Sequence, residues 1–145
     1  MQPLSAKPST INVLSVSSSP VDHQLLGCMF RRCGWTYIPA RSLEEARHCL
    51  DRQPISVVVT DLHLPDGEWA DLLEDLQCQP SSPHLIVSAA NPDERTWAEV
   101  LNRGGYDVLV KPFHATEVFR VLSLALRHWA DRMVRPRPRV LQATA

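Results

Sequence analysis

The sequence predicts an α/β fold with a doubly wound parallel sheet, and three observations lead to this prediction. Short runs of apolar and β-branched residues alternate along the 145-residue chain with longer segments whose apolar residues recur at helical spacing. The connections between these segments are short, as in right-handed βαβ units. The run from Val57 to Thr60 shows no polar alternation, which is typical of a strand covered on both faces.

Five runs of this kind give the predicted strands. In chain order they cover residues 11–16, 35–38, 57–60, 85–87 and 108–110. Polar side chains follow several of these runs directly: Asp61 after the third, Ser88 after the fourth and Lys111 after the fifth. In a parallel sheet the carboxyl ends of the strands meet at one edge, so we expect these side chains to lie close together.

The first two helices are predicted from an apolar face and a capping pattern. The first runs from Pro20 to Cys33 and ends at Gly34. Its predicted inward face consists of Val21, Leu25, Leu26, Met29, Phe30 and Cys33. The second begins at a capping box formed by Ser42 and Glu45.

The last three helices follow from similar signals. The third ends before Pro80, and its apolar positions are Trp69, Leu72, Leu73 and Leu76. Asn91 is the predicted N-cap of the fourth helix, with Pro92 in its first turn. The fifth runs from Ala115 to about Arg132.

Length and composition restrict the classes of protein. A chain of this length forms one domain, which we place at residues 11–132, between a flexible N-terminus (1–10) and a basic, proline-containing flexible tail (133–145). A net charge of −1 gives no general attraction to nucleic acid or anionic lipid. The four cysteines form no Cys-x-x-Cys pair, and no segment is typical of a signal peptide or membrane span. We therefore expect a cytoplasmic protein without a membrane partner.

The three polar residues at the strand ends suit phosphoryl transfer. A carboxylate such as Asp61 can attack phosphorus to give an acyl phosphate, and the developing negative charge needs donors held in place beforehand. Lys111 supplies a positive charge and Ser88 a hydroxyl donor. The alternative is that Asp61 and Lys111 form a partly buried ion pair of structural importance only.

Three motifs together resemble the receiver domains of bacterial response regulators. They are Val-Val-Val-Thr-Asp-Leu-His-Leu-Pro-Asp-Gly at 57–67, Ser88-Ala89, and Lys111-Pro112-Phe113. The resemblance covers residues 11–127 and implies a flavodoxin-like (βα)5 sandwich with strand order 2-1-3-4-5. It also implies that Asp61 is the phosphoacceptor, that Ser88 and Lys111 contact the phosphoryl group, and that the Lys111–Pro112 peptide is cis. The implied cofactor is Mg²⁺, and the implied partner is a histidine kinase or another signalling protein.

The first strand departs from the family pattern. Receivers place two adjacent acids after this strand to hold Mg²⁺ with the phosphoacceptor, and the matching residues here are Ser17 and Ser18. Only Asp61 and the backbone of His63 remain as candidate metal ligands, so we predict weak or absent Mg²⁺ binding. Asp22 is a possible replacement, but its place in the first turn of a helix favours stabilisation of the positive helix end.

The residue type also differs at the position that, by resemblance to the family, passes the signal to the surface. The family commonly has an aromatic residue three positions before the lysine, and Val108 stands there. Val108 and Trp97 are our candidates for an interaction surface, with a possible homodimer through helix 4, strand 5 and helix 5. The spacing of Trp97 from Val100 and Leu101 supports a core position for Trp97 equally well.

These observations lead to one main prediction and two alternatives. The main prediction is a stand-alone, receiver-like (pseudo-receiver) module of a bacterial two-component phosphorelay that is degenerate in Mg²⁺ binding and acts by protein–protein interaction. It is not an enzyme beyond phosphoacceptor or autophosphatase chemistry at Asp61. The first alternative is a receiver whose Asp61 is phosphorylated by a histidine kinase. The second is a nucleic-acid-associated protein that uses the basic tail.

Overall fold

A computed structural model describes residues 11–79 and 81–134, which form a three-layer α/β structure. The elements, in chain order, are β1 Asn12–Val16, α1 Pro20–Cys33, β2 Thr36–Ala40, α2 Leu43–Arg52, β3 Val57–Asp61, β4 His63–Leu64, β5 Gly67–Glu68, α3 Trp69–Gln77, β6 His84–Ala89, α4 Glu94–Arg103, β7 Asp107–Val110 and α5 Ala115–Val134. The main sheet has five parallel strands in the order β2-β1-β3-β6-β7. The predicted fold class and the strand order 2-1-3-4-5 are confirmed.

The sheet is buried on both faces, as the apolar run before Asp61 predicted. Successive residues of β3 point to opposite faces: Val58 belongs to one apolar cluster, and Val57 and Val59 belong to the other. The first cluster includes the buried residues of α2, α3 and α4, and the second includes those of α1 and α5. This packing fixes the central strand, so its end at Asp61 is held in a defined place.

The predicted inward face of α1 is too wide. Leu26 and Phe30 are buried, but Val21 and Leu25 are 61% and 41% exposed. The helix therefore contacts the sheet along a narrow stripe. Its ends agree with the sequence, since Ser19 caps the first turn and Gly34 ends the helix with a φ of 78°.

One predicted capping box and one predicted helix start need correction, while the start of α2 after Ser42 is confirmed. The hydroxyl of Ser42 accepts from the Glu45 amide as expected, but the Glu45 carboxylate accepts from the amide of Arg41 and so does not complete the capping box. Helix α4 begins at Glu94 with Asp93 as its N-cap, two residues after the predicted cap Asn91. Both aspartate and asparagine are good caps, so their types alone did not distinguish them.

The ends of the chain lie mostly outside the described residues. This applies to the predicted flexible N-terminus, 1–10, and to 135–145 of the predicted tail. Helix α5 continues to Val134, two residues past the predicted end of the domain. Among the described helices, none combines the length and apolar character needed to cross a membrane.

Candidate functional site

Asp61 is the last residue of the central strand and lies between two neighbouring strand ends. It pairs in register with Ser88 of β6, and Ser17 follows β1 on its other side. Lys111 directly follows β7 and is anchored by its amide, which donates to the Ala89 carbonyl at 2.8 Å. The parallel sheet thus brings the predicted residues to one edge.

Three donors surround the Asp61 carboxylate. The Ser17 hydroxyl donates to Oδ2 at 2.7 Å, the Ser88 hydroxyl donates to Oδ1 at 2.9 Å, and Lys111 Nζ lies 2.9 Å from Oδ1. The Asp61 side chain is only 15% exposed, so these contacts replace much of its hydration. The geometry brings Asp61, Ser88 and Lys111 together, while their roles in phosphoryl transfer stay predictions.

The two serines after β1 differ in their surroundings. Ser17 is 3% exposed, and its hydroxyl also accepts from the Ser19 amide at 3.0 Å. Ser18 is exposed. Of the two positions that match the metal-binding acids of the family, Ser17 is the one whose side chain contacts Asp61.

Asp22 is a member of the site through Lys111, a contact that the sequence did not predict when it favoured a helix-end role over metal binding. Its carboxylate lies 2.6 Å from Lys111 Nζ, so the lysine bridges Asp22 and Asp61. Asp22 lies in the first helical turn as predicted, but it also precedes the buried residues Leu26 and Phe30 at intervals of four. That spacing places Asp22 on the inward face of α1 and could have revealed its contact with the sheet edge.

The electrostatics of this bridge favour a charged lysine. Burial lowers the pKa of Lys111, but hydrogen bonds to Asp22 and Asp61 and the charges of both outweigh burial, so the pKa is raised. The peptide between Lys111 and Pro112 is cis, as the family resemblance implied.

A histidine and a tyrosine support the β1–α1 side of the site. The Nε2 atom of His23 lies 2.7 Å from the Ser17 carbonyl, and its Nδ1 contacts the Tyr37 hydroxyl. A carbonyl only accepts, so Nε2 donates to Ser17, and Nδ1 is the ring nitrogen that faces the Tyr37 hydroxyl. Burial, together with the negative charges of Asp22 and Asp61, raises the pKa of Tyr37 to about 12. No sequence pattern predicted a contact between these two residues, which come from α1 and β2.

His63 contributes no side chain to the pocket. Its imidazole is 78% exposed and lies 3.6 Å from Glu68 across the short β4–β5 hairpin, which was not predicted. A role for its backbone carbonyl stays a prediction.

The predicted surface role of Val108 is wrong. Val108 is 1% exposed and belongs to the apolar cluster beneath α4, because alternate residues of β7 point to opposite faces of the sheet. Trp97 is partly buried and packs against the same cluster. Its exposed part could still contact a partner, so its place in an interface stays a prediction.

Few of the groups around Asp61 are of the kind that binds Mg²⁺. Mg²⁺ binds through one or two carboxylates and several waters in near-octahedral geometry. In the described part of the chain, His, Cys, Asp and Glu residues nowhere gather in a group of three that could hold a metal. The two carboxylates that are present, Asp22 and Asp61, share the Lys111 ammonium.

Comparison with known proteins gives consistent results. The family model described as the response regulator receiver domain matches residues 13–123. The chain is 31% identical over 115 residues to the response regulator protein PilR of Pseudomonas aeruginosa, which covers 79% of this chain and 26% of PilR. It is 34% identical over 118 residues to the probable transcriptional regulatory protein TcrX of Mycobacterium tuberculosis, which covers 81% of this chain and 50% of TcrX. The chain thus spans between a quarter and a half of these relatives.

Solved structures agree with the observed topology. The signal receiver domain of an HD domain-containing protein from Pseudomonas fluorescens Pf-5 superposes with a TM-score of 0.81 at 27% identity, covering 89% of this chain and 96% of that one. The chemotaxis response regulator CheY4 of Vibrio cholerae gives a TM-score of 0.74 at 18% identity, covering 81% of this chain and 100% of that one, and supports the fold alone.

Proposed function

This chain belongs to the response regulator receiver domain family, and from that membership we propose that it is a signalling module of a bacterial phosphorelay that binds Mg²⁺ weakly or not at all. Receiver domains are generally non-enzymatic signalling modules that use Mg²⁺ and interact with histidine kinases and other signalling proteins. In this chain, contact with such a partner protein carries the signal, and phosphorylation of Asp61 is not its main route.

One observation carries this proposal: the carboxylate of Asp61 is already satisfied by groups of the protein. Ser17 donates to one oxygen, and Ser88 and Lys111 contact the other. Ser17 stands where the family has an acid, and a hydroxyl is a much weaker cation ligand than a carboxylate. A divalent cation would have to compete with the Lys111 ammonium for Asp61. It would also lack the acidic ligand that the family has at the position of Ser17.

A second candidate function, phosphorylation of Asp61, is favoured by Ser88 and Lys111, which follow β6 and β7. Attack of the carboxylate on phosphorus places negative charge on the phosphoryl oxygens. Lys111 and Ser88 both lie within 2.9 Å of Asp61 Oδ1, so each could donate to those oxygens.

A phosphorylation assay separates the two functions. The protein is incubated with acetyl phosphate and Mg²⁺, and its intact mass is measured, with Asp61→Asn as the control. We expect no Asp61-dependent mass increase, because the cation needed beside the carboxylate is poorly held. Stoichiometric phosphorylation that disappears in Asp61→Asn would overturn the proposal and establish the second function.

A further inference from the structure

We propose that Asp22 is a positioning residue that holds the Lys111 ammonium against Asp61, and that the ammonium held there excludes divalent cations from the site. The inference rests on the proposed weak binding of Mg²⁺ and identifies its cause. It assigns to the first turn of α1 a role in the site that the family motifs do not contain.

The geometry of the bridge supports this role. Lys111 Nζ donates to Asp22 Oδ2 at 2.6 Å and lies 2.9 Å from Asp61 Oδ1, distances typical of charge-assisted hydrogen bonds. The Lys111 side chain is 23% exposed, and each carboxylate is 15% exposed. The bridge is therefore shielded from solvent on most sides, which strengthens both contacts.

The second carboxylate matters because a lysine side chain is flexible. Held by Asp61 alone, the ammonium could swing aside on its four-carbon stem and admit a competing cation. With Asp22 on its other side, leaving Asp61 also means breaking a second ion pair. The other contacts of the Asp61 carboxylate come from the neutral hydroxyls of Ser17 and Ser88, so neither adds a charge that would attract a metal.

The backbone of Asp22 is fixed independently of the lysine. Its amide donates to the Ser19 hydroxyl at 3.2 Å, within the cap of a helix that is anchored in the core by Leu26 and Phe30. The carboxylate is therefore presented to Lys111 by a rigid element. Such a support is what a positioning residue requires.

Lysine acylation tests the Asp22 contact directly. The sequence has one other lysine, Lys7, which serves as an internal reference for the reagent. An ammonium held by two carboxylates reacts slowly with acetic anhydride, because the neutral amine is the nucleophile. We expect Asp22→Asn to raise the ratio of Lys111 to Lys7 acylation by about threefold or more, because the ammonium then keeps only one of its two carboxylate partners.

A matched control removes another aspartate from a helix start. Asp93 caps α4 through Thr96, so Asp93→Asn loses a charge at a helix N-terminus without touching Lys111. Its acylation ratio should equal that of the wild type. An unchanged ratio in Asp22→Asn, with native far-ultraviolet circular dichroism, would overturn the positioning role.

Metal binding tests the exclusion. Binding of Mn²⁺, followed by the loss of the free-ion signal in electron paramagnetic resonance, should be at least about tenfold tighter in Lys111→Met than in the wild type, because the competing positive charge is gone. Asp22→Asn alone should also bind Mn²⁺ more tightly than the wild type, because the ammonium is then held by one carboxylate and can swing aside. No gain in Lys111→Met overturns the exclusion, and no gain in Asp22→Asn overturns the part of Asp22.

These experiments distinguish a failure of this inference from a failure of the proposed function. If the wild type binds Mn²⁺ as tightly as Lys111→Met and Asp61 is phosphorylated, the proposed function itself fails. If the wild type binds weakly and Lys111→Met binds no better, the proposed function stands and the inference about the ammonium fails.

Discussion

The two sides of the site differ in how they resemble the family and in what they offer to Asp61. The β6–β7 side carries Ser88 and Lys111, which match the family motifs and suit a phosphoryl group. The β1–α1 side carries Ser17 and Asp22, which do not match the metal-binding acids. The residues that suit a phosphoryl group and the positions that hold the metal in the family therefore lie on different strands. One side can change without the other, although both border the Asp61 carboxylate.

The difference also shows why a hydroxyl at Ser17 is compatible with this site. A hydroxyl donates to Asp61, whereas a carboxylate at the same place could only accept. Two carboxylates at such a distance repel each other unless a cation lies between them. In this chain the acid stands instead at Asp22, and the cation between it and Asp61 is the ammonium of Lys111.

The largest expected effect comes from restoring acids on the β1–α1 side. Ser17→Asp with Ser18→Asp should tighten Mg²⁺ binding by at least about tenfold, because Mg²⁺ binds through one or two carboxylates. Without metal, the added charge beside Asp61 should lower the free energy of unfolding by about 2 kcal/mol. Thermal unfolding with and without Mg²⁺ measures both effects.

Ser18→Asp alone is the control for this change. Ser18 is exposed, so its single replacement should have a much smaller effect on stability and on the response to Mg²⁺. If Mg²⁺ stabilises the double variant no more than the wild type, the serines are not what limits metal binding, and the contrast between the two sides loses its basis.

An effect on stability, without any gain in metal binding, is expected from removing one hydroxyl on each side. Ser17→Ala loses a bond to Asp61 and the acceptor of the Ser19 amide, so it should lower the free energy of unfolding by about 2 kcal/mol. Ser88→Ala loses one short bond to Asp61 and should cost about 1 kcal/mol. Denaturant unfolding compares them, and a greater cost for Ser88→Ala would reverse the proposed order.

The sheet and the β6–β7 side of the site could be predicted from the sequence. Strand-like runs and helical spacing are local signals, and the topology of parallel strands then places Asp61, Ser88 and Lys111 at one edge. The motifs that carry the resemblance lie at those strand ends as well. Their convergence therefore followed from local pattern and topology together.

The β1–α1 side was harder to predict, because its contacts join residues of different elements that no local sequence pattern connects. Asp22 satisfied a helix-end rule, which explained it without reference to Lys111, 89 positions away along the chain. His23 and Tyr37 meet because α1 packs beside β2. Val108 was misplaced for a different reason, since its match to a family position outweighed the alternation of β7.

The smallest effect concerns Tyr37, which supports Ser17 through His23. Its folded pKa of about 12 lies above the ordinary value of 10.0, so the folded state keeps the proton where the unfolded state loses it. The stability from neutral Tyr37 is therefore fully present below pH 10 and is lost as the pH rises through 12. In Tyr37→Phe the loss of the hydroxyl should cost about 0.5 kcal/mol at neutral pH, and the difference from the wild type should shrink in this alkaline range.

Tyrosinate absorbance provides the direct measurement, because the sequence has only two tyrosines. The step near pH 12 should vanish in Tyr37→Phe and persist in Tyr106→Phe. Tyr106 contacts His128 rather than His23, and its pKa is also raised by burial, so the variants are needed to assign the steps. If the step near pH 12 survives in Tyr37→Phe, the step does not belong to Tyr37, and the burial of the Tyr37 hydroxyl beside Asp22 and Asp61 is contradicted.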